Sequence, residues 1–197
     1  MQMQTPMTEL EAVNFVIETI GESPVNTVDD PGNIDAATAR TFIRQVSRST
    51  QNQGWFWNTD EAFPIVPNSN GELVLPKNTL RVVTVYPDGD LELIVRGQRL
   101  YDRQKHTYEI GKKVNADIVR FLPFDEIPEA ARWYIAVTAA RMFQEKVLGS
   151  EGLAQFNRAD ETLAWSSLLD EEAAVAKYNV FTDSNFATEL NFRGIKQ

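Results

Sequence analysis

The spacing of apolar residues changes twice along this chain, from helical to strand-like near residue 55 and back to helical near residue 123. That double change excludes an all-helical or an all-strand fold. In the middle stretch the runs are short: Trp55-Phe56-Trp57-Asn58, Glu72-Leu73-Val74-Leu75, Leu80 to Tyr86, Leu91-Glu92-Leu93-Ile94-Val95, His106-Thr107-Tyr108-Glu109-Ile110 and Asp117-Ile118-Val119-Arg120-Phe121. They read as strands, parted by turn chemistry at Pro67-Asn68-Ser69-Asn70-Gly71 and Pro87-Asp88-Gly89-Asp90. No gap between them holds a crossover helix, so an antiparallel sheet or small sandwich is expected.

Both flanks carry helical signals. Thr8-Glu9-Leu10-Glu11 has capping-box spacing, Leu10, Val13, Val16, Ile17 and Ile20 form one stripe, and Gly21 stands where a left-handed cap is wanted. A second helix is expected from an Asp35 cap, with the stripe Ala36, Ala39, Phe42, Ile43 and Val46, ending before Gly54. Arg40, Arg44 and Arg48 line its polar face, which reads as solvated or paired with a neighbour. Ile127-Pro128-Glu129 opens a third helix running to Leu148, apolar on two stripes and poorly suited to open water. A fourth, from about Ser150 to Tyr178, would span roughly 40 Å. Its stripe is expected at Leu153, Phe156, Ala159 and Leu163, with Trp165, Leu168 and Leu169 extending the apolar surface. After it comes a polar stretch with isolated Phe186, Leu190, Phe192 and Ile195, read as an arm that a partner's groove would order.

The expected fold class is α+β: a four-helix bundle formed by residues 1–54 and 123–180, an inserted antiparallel β domain over 55–122, and a C-terminal arm over 181–197. With 197 residues, 43% of them apolar, such a chain buries its own core. It needs no disulfide, and without a cysteine it can form none. Met1 to Met7 form no signal peptide, and no apolar run is long enough to span a membrane, so no membrane partner is expected.

Chemistry is hard to place on these residues. The single histidine, His106, sits on an apparent hairpin strand and reads as a surface residue. There is no Gly-x-Ser-x-Gly elbow, no phosphate-cradling glycine motif and no set of metal ligands at familiar spacing. No catalytic, metal or cofactor site is therefore expected. The alternative is a glycosidase that cleaves cell-wall glycan, built on paired carboxylates such as Asp60-Glu61, Asp125-Glu126, Asp160-Glu161 or Asp170-Glu171-Glu172. Neighbours in a helical sequence diverge by about 100 degrees, which works against a shared cleft. Trp55-Phe56-Trp57 could stack bases or sugars, but its place after Gly54 favours packing where helix gives way to sheet.

Net charge is −9, unevenly spread: −6 over residues 1–79, +2 over 80–122 and −5 over 123–197. The positive stretch gathers Arg96, Arg99, Arg103, Lys105, Lys112 and Lys113. Three readings remain open for it: solvated strand faces, contact with an acidic neighbouring subunit, and nucleic acid.

Several stretches together resemble the tail tubular protein A family of short-tailed phages of the autographivirus group. They are Glu9-Leu10 through Ile20-Gly21-Glu22-Ser23-Pro24-Val25, Asp35 to Arg40, Gln53-Gly54-Trp55-Phe56-Trp57-Asn58, Tyr101-Asp102-Arg103, and Asp125 to Glu129 leading into Arg141-Met142-Phe143-Gln144. The likeness runs in order over residues 8 to about 178. It implies a structural subunit of the virion tail, assembled in the host cytoplasm as a dodecameric ring between the portal protein and the nozzle protein, tail tubular protein B. It further implies a tail fibre protein docked around the junction and genomic DNA passing through the lumen without specific binding. On that reading Arg96, Arg99, Arg103, Trp165, Leu168 and Leu169 are candidates for subunit contacts, and Phe186, Leu190 and Phe192 for a partner-binding arm.

Overall fold

The computed structural model describes residues 5–29, 32–87, 91–148 and 151–182, apart from the side chains of 148, 151–157 and 176–182. The chain is mixed α+β. Its helices are α1 (Glu9–Glu18), α2 (Ile34–Gln51), α3 (Glu129–Leu148) and α4 (Glu151–Thr182). Its strands are β1 (Thr59–Ile65), β2 (Thr79–Tyr86), β3 (Leu93–Arg96), β4 (Arg99–Asp102) and β5 (Val114–Arg120). Two compact units divide it, one of residues 1–44 and 128–197, the other of 45–127.

In the first unit, α1 starts as its sequence dictates. The Thr8 hydroxyl accepts the Glu11 N–H at 3.2 Å and the Glu11 carboxylate accepts the Thr8 N–H at 2.7 Å, so two orphan donors are satisfied reciprocally. At the other end Gly21 adopts φ +84°, which lets the N–H groups of Gly21 and Glu22 turn back to the carbonyls of Glu18 and Ile17. Helix α2 is capped by Asn33, not Asp35: the Asn33 side-chain oxygen accepts the Ala36 N–H at 2.8 Å. A cap reaches the amide three residues on, and that geometry fits a helix opening at Ile34. On the arginine face of α2, Arg40 and Arg44 meet acids, while Arg48 lies 5.2 Å over the Phe121 ring. Arg40 bonds Glu9 at 2.9 Å and also Asp29, and Arg44 lies 3.7 Å from the same Glu9 carboxylate. The Glu9 bond raises the Arg40 pKa further above its ordinary value.

Helix α3 packs against α1 and α4 and is enclosed along most of its length, with Ala131, Ile135, Ala136, Ala139 and Phe143 all buried. Phe143 meets Phe42 edge to face at 6.1 Å between ring centres, and the Gln144 amide donates to the Thr19 carbonyl at 3.1 Å. Against α4 the join is ionic. Arg141 donates to Glu161 at 2.6 Å and grips Glu145 at 3.0 Å, while the Thr138 hydroxyl donates to Glu161 at 3.1 Å. This bond turns the face of Glu161, Ala164, Trp165 and Leu168 toward α3. The expected stripe through Ala159 and Leu163 is corrected accordingly: both are exposed, and the side chains of Leu153 and Phe156 lie outside the described residues. The same holds for a stop at Gly149.

In the second unit the sheet order is β1-β5-β2, all antiparallel, with β3 and β4 forming a separate hairpin. Ile65, Leu73, Leu75, Leu100, Val114, Ala116 and Ile118 make one core between them. Strand β1 is absent from the sequence reading because Pro64 and a bulge at Glu61-Ala62 break its alternation. An edge strand tolerates both, and the central strand supplies Asp117 to accept the Ala62 N–H at 2.8 Å. Strand β4 went unread as well, being four residues long and half charged. Three stretches expected as strands differ. Residues 72–75 and 106–110 make only single bridges, to Pro67, Arg99, Asp102 and each other. Residues 56–58 form a turn of 3-10 helix, closed by the Trp55 N–H donating to the Asn58 side chain at 2.8 Å.

That turn belongs to a buried polar knot. Gln51, the last residue of α2, donates to the Leu122 carbonyl at 3.0 Å and accepts the Leu122 N–H at 2.8 Å. Asn58 donates to the carbonyls of Gln51 and Arg120, both at 2.9 Å, and the Trp55 indole donates to Thr50 at 2.7 Å. Gly54, at φ +81°, lets the chain turn here: a Cβ would stand 2.7 Å from the Arg81 guanidinium and 3.0 Å from Val119.

Two expectations follow from these contacts. Asn58→Ala removes a donor to two carbonyls and the acceptor of one amide, and should lower stability by about 3 kcal/mol, read as a fall in urea midpoint with an unchanged slope. Thr8→Ala should cost about 1 kcal/mol at neutral pH. The Thr8 backbone and hydroxyl hold the Glu11 carboxyl below the 4.5 of an unperturbed glutamate. A depressed folded pKa adds stability that is complete above the unfolded value and is lost as pH falls through the folded one. The two proteins' melting curves should therefore draw closer as the pH drops below 4.5 without meeting, because only the hydroxyl's bond to the carboxylate is lost with protonation, whereas the bond it accepts from the Glu11 N–H is not.

Candidate assembly surfaces

The positive stretch of the sequence folds into the β3–β4 hairpin and the loop after it. Cross-strand register sets Arg96 opposite Arg99 and Ile94 opposite Tyr101, so both arginines and the tyrosine share one face. There they interleave with aromatic rings. The Arg96 guanidinium lies 3.8 Å from the centre of the Tyr101 ring, Tyr101 meets Tyr108 edge to face at 4.9 Å, and Arg99 stands 4.2 Å over Tyr108. Arg99 also bonds Glu72 at 2.6 Å, and Arg103 bonds Glu92 at 2.9 Å. The hairpin is thus a preorganised arginine–tyrosine ladder whose charge is balanced in part by glutamates from other segments. Planar guanidinium groups held on rings lose little freedom when a partner adds hydrogen bonds, which suits them to contacts with carboxylates.

The loop behind this ladder turns on Asp102. Its carboxylate, buried at 1% exposure, accepts the N–H groups of Gln104 and Lys105 at 2.9 and 3.2 Å, and its backbone pairs with Thr107. His106 falls within the tight turn at φ +53°, exposed, rather than on a strand.

On α4 the expected contact residues separate. Leu168 is enclosed by the chain's own atoms, and Trp165 is half-buried with its ring 5.0 Å from Tyr134. Leu169 remains 44% exposed, and Leu163, expected on the buried stripe, is 68% exposed. Phe186, Leu190 and Phe192 lie outside the described residues.

The carboxylate pairs are spread over unrelated places. Asp60 bonds Arg120 at 2.9 Å and Glu161 is held by Arg141, while Asp125, Glu126, Asp170 and Glu171 face solvent. The Trp55 and Trp57 rings lie nearly parallel at 6.4 Å, with Trp55 buried in the polar knot and Phe56 exposed. Among the described residues no group of three or more ionisable side chains is placed to hold a metal ion, and no helix is long and apolar enough to cross a membrane.

Comparison with known proteins adds the family. Tail tubular protein A of Klebsiella phage KP34 is 30% identical over 168 residues, covering 84% of this chain and 87% of that protein. The tail tubular protein family model matches residues 10–178, from α1 to the last turns of α4. The chain therefore belongs to the tail tubular protein family, structural proteins of the phage virion tail.

Proposed function

We propose that this chain is a head-to-tail adaptor, a structural subunit that closes with its copies into a dodecameric ring between the portal protein and the nozzle protein, tail tubular protein B. The observation that carries the reading is the family match over residues 10–178. In this reading the four helices form one bundle from residues 1–54 and 123–180, and residues 55–122 are an inserted β domain. The tail fibre protein docks around the ring, assembly takes place in the host cytoplasm, and the protein performs no catalysis.

Three physical features support it. Apolar side chains remain open on the helices after the chain has folded, among them Trp133, Val147, Leu163, Leu169 and Val175, and closing subunits side by side would remove them from water. With a net charge of −9, a ring of such subunits repels a polyanion, so genomic DNA would slide through the lumen without sticking. The arginine–tyrosine ladder of the hairpin, with Arg103, is the natural contact for the acidic surface of the next subunit.

Purified protein mixed with portal should form a ring visible by electron microscopy, with a matching mass. No ring on any portal at high protein concentration would overturn the adaptor reading, whereas a monomer in isolation is compatible with assembly on the partner alone. Replacing Arg96 and Arg99 together by glutamate should leave the helical circular dichroism unchanged and reduce ring formation by about tenfold or more, since like charges are then opposed across the contact.

A further inference from the structure

The first unit carries a groove of about 770 Å³, open to solvent, between the segment before α1, helix α1 itself and the loop after it. Phe15 and Pro24 are among its lining, together with Met7 and three acids, Glu11, Glu18 and Glu129. None of the lining residues is a lysine or an arginine. Both walls are braced. On one side Met7 is pinned to the start of α3, its N–H donating to Glu129 at 2.8 Å and its carbonyl accepting from Arg132 at 2.7 Å. On the other, the Asn14 side chain holds Val25 by two hydrogen bonds, donating to its carbonyl at 3.1 Å and accepting its N–H at 2.8 Å. Between them Phe15 leans on Trp133, rings 5.3 Å apart, and Trp133 is itself 40% exposed. A braced aromatic trough with an acidic rim suits a short segment that alternates apolar and basic side chains.

The sequence contains such a segment. Residues 191–197 read Asn-Phe-Arg-Gly-Ile-Lys-Gln, with Phe192 and Ile195 for the trough, Arg193 and Lys196 for the rim, and no acid among them. We propose that residues 191–197 of one copy of the chain occupy this groove on a neighbouring copy. The assignment rests on the ring reading above and gives it a linker between subunits: Phe192 and Ile195 against Phe15, the two cations against Glu18 and its neighbours. A segment passed from one copy to the next strengthens a ring without enlarging the side-by-side contact, because the second attachment is made at high effective concentration.

The chain's lack of cysteine makes the test clean. Full-length Thr5→Cys, at a lining position that the proposed contact does not call on, and full-length Gly194→Cys are mixed at high concentration under mild oxidation, and disulfide-linked pairs are counted. Linkage should run about tenfold faster than for Gly194→Cys mixed with Ile34→Cys, an exposed position outside the groove lining, because the bound segment is held against that lining. Adding Arg193→Glu and Lys196→Glu to the Gly194→Cys chain should bring linkage down to the control rate. Linkage no faster than the control overturns the proposal, whether or not rings form. So does a dilute double variant that closes the same disulfide within one chain at that speed, since the groove would then hold its own chain's segment. Rings seen by microscopy without the cross-link would leave the adaptor reading standing and remove this one alone.

Discussion

The second unit depends on one buried polar junction. The chain enters it along α2 and returns along β5, and Gln51 and Leu122, 71 residues apart in sequence, exchange two hydrogen bonds at the point of closure. Asn58 then ties both arms of that closure, bonding the Gln51 carbonyl on one side and the Arg120 carbonyl on the other. Closing a long loop costs entropy that grows only slowly with its length, so a few well-made bonds at its neck suffice to hold it. Gln51 and Asn58 are themselves buried, so water competes poorly for their side chains, and losing one of these bonds costs more than it would at the surface. The register of β1 follows from this, since the strand begins at Thr59, directly after Asn58.

The first unit is organised by α3 in a different way. This helix has few residues to offer water, and its alanines let neighbours approach closely along Ala131, Ala136, Ala139 and Ala140. Close approach alone would leave the rotation of α4 undetermined, because α4 is apolar on more than one side. Arg141 resolves it. Its guanidinium takes Glu161 from α4 and Glu145 from α3 together, and the Glu161 bond raises the Arg141 pKa further, so the cation persists at any working pH. One face of α4 is thereby committed to the core, and Leu163 and Leu169, on two other sides of the helix, stay exposed.

What could be read in the sequence followed how local each signal is. Thr8, Glu11 and Gly21 act within a single turn of chain, so the ends of α1 were legible. Strand β1 was hidden because its irregularity is repaired by Asp117, a residue 55 positions away. Aromatic Trp55-Phe56-Trp57 suggested a strand by composition, but the Asn58 side chain closes the backbone into a turn before any pairing. The arginines of the hairpin were visible as charge. Their tyrosine stacking and the glutamates that balance Arg99 and Arg103 were not, since Glu72 and Tyr108 reach them only through tertiary pairing. The exposed Leu163 was missed for a related reason, because the rotation of α4 is decided by a charge on α3. The groove was not legible, because it forms only when the stretch from Thr5 to Pro24 folds back on itself and meets Glu129, 105 positions beyond Pro24.

The residues that carry the family likeness are, in this structure, largely internal. Trp55 and Asn58 make the polar knot, Asp102 folds the hairpin loop, Phe143 and Gln144 bind α3 to α2 and α1, and Arg141 fixes α4. A likeness of this kind transfers the skeleton. The surfaces proposed above for contacts between copies draw on other side chains, chiefly the exposed leucines of α4 and the arginines of the hairpin, although Tyr101 and the lining of the acidic trough lie within the same stretches of likeness. A single charge reversal at Arg96 or Glu18 would change a partner's affinity while leaving the fold intact, whereas replacing Asn58 or Arg141 would act on the fold first. The skeleton and the contact surfaces of this protein can therefore be tested separately.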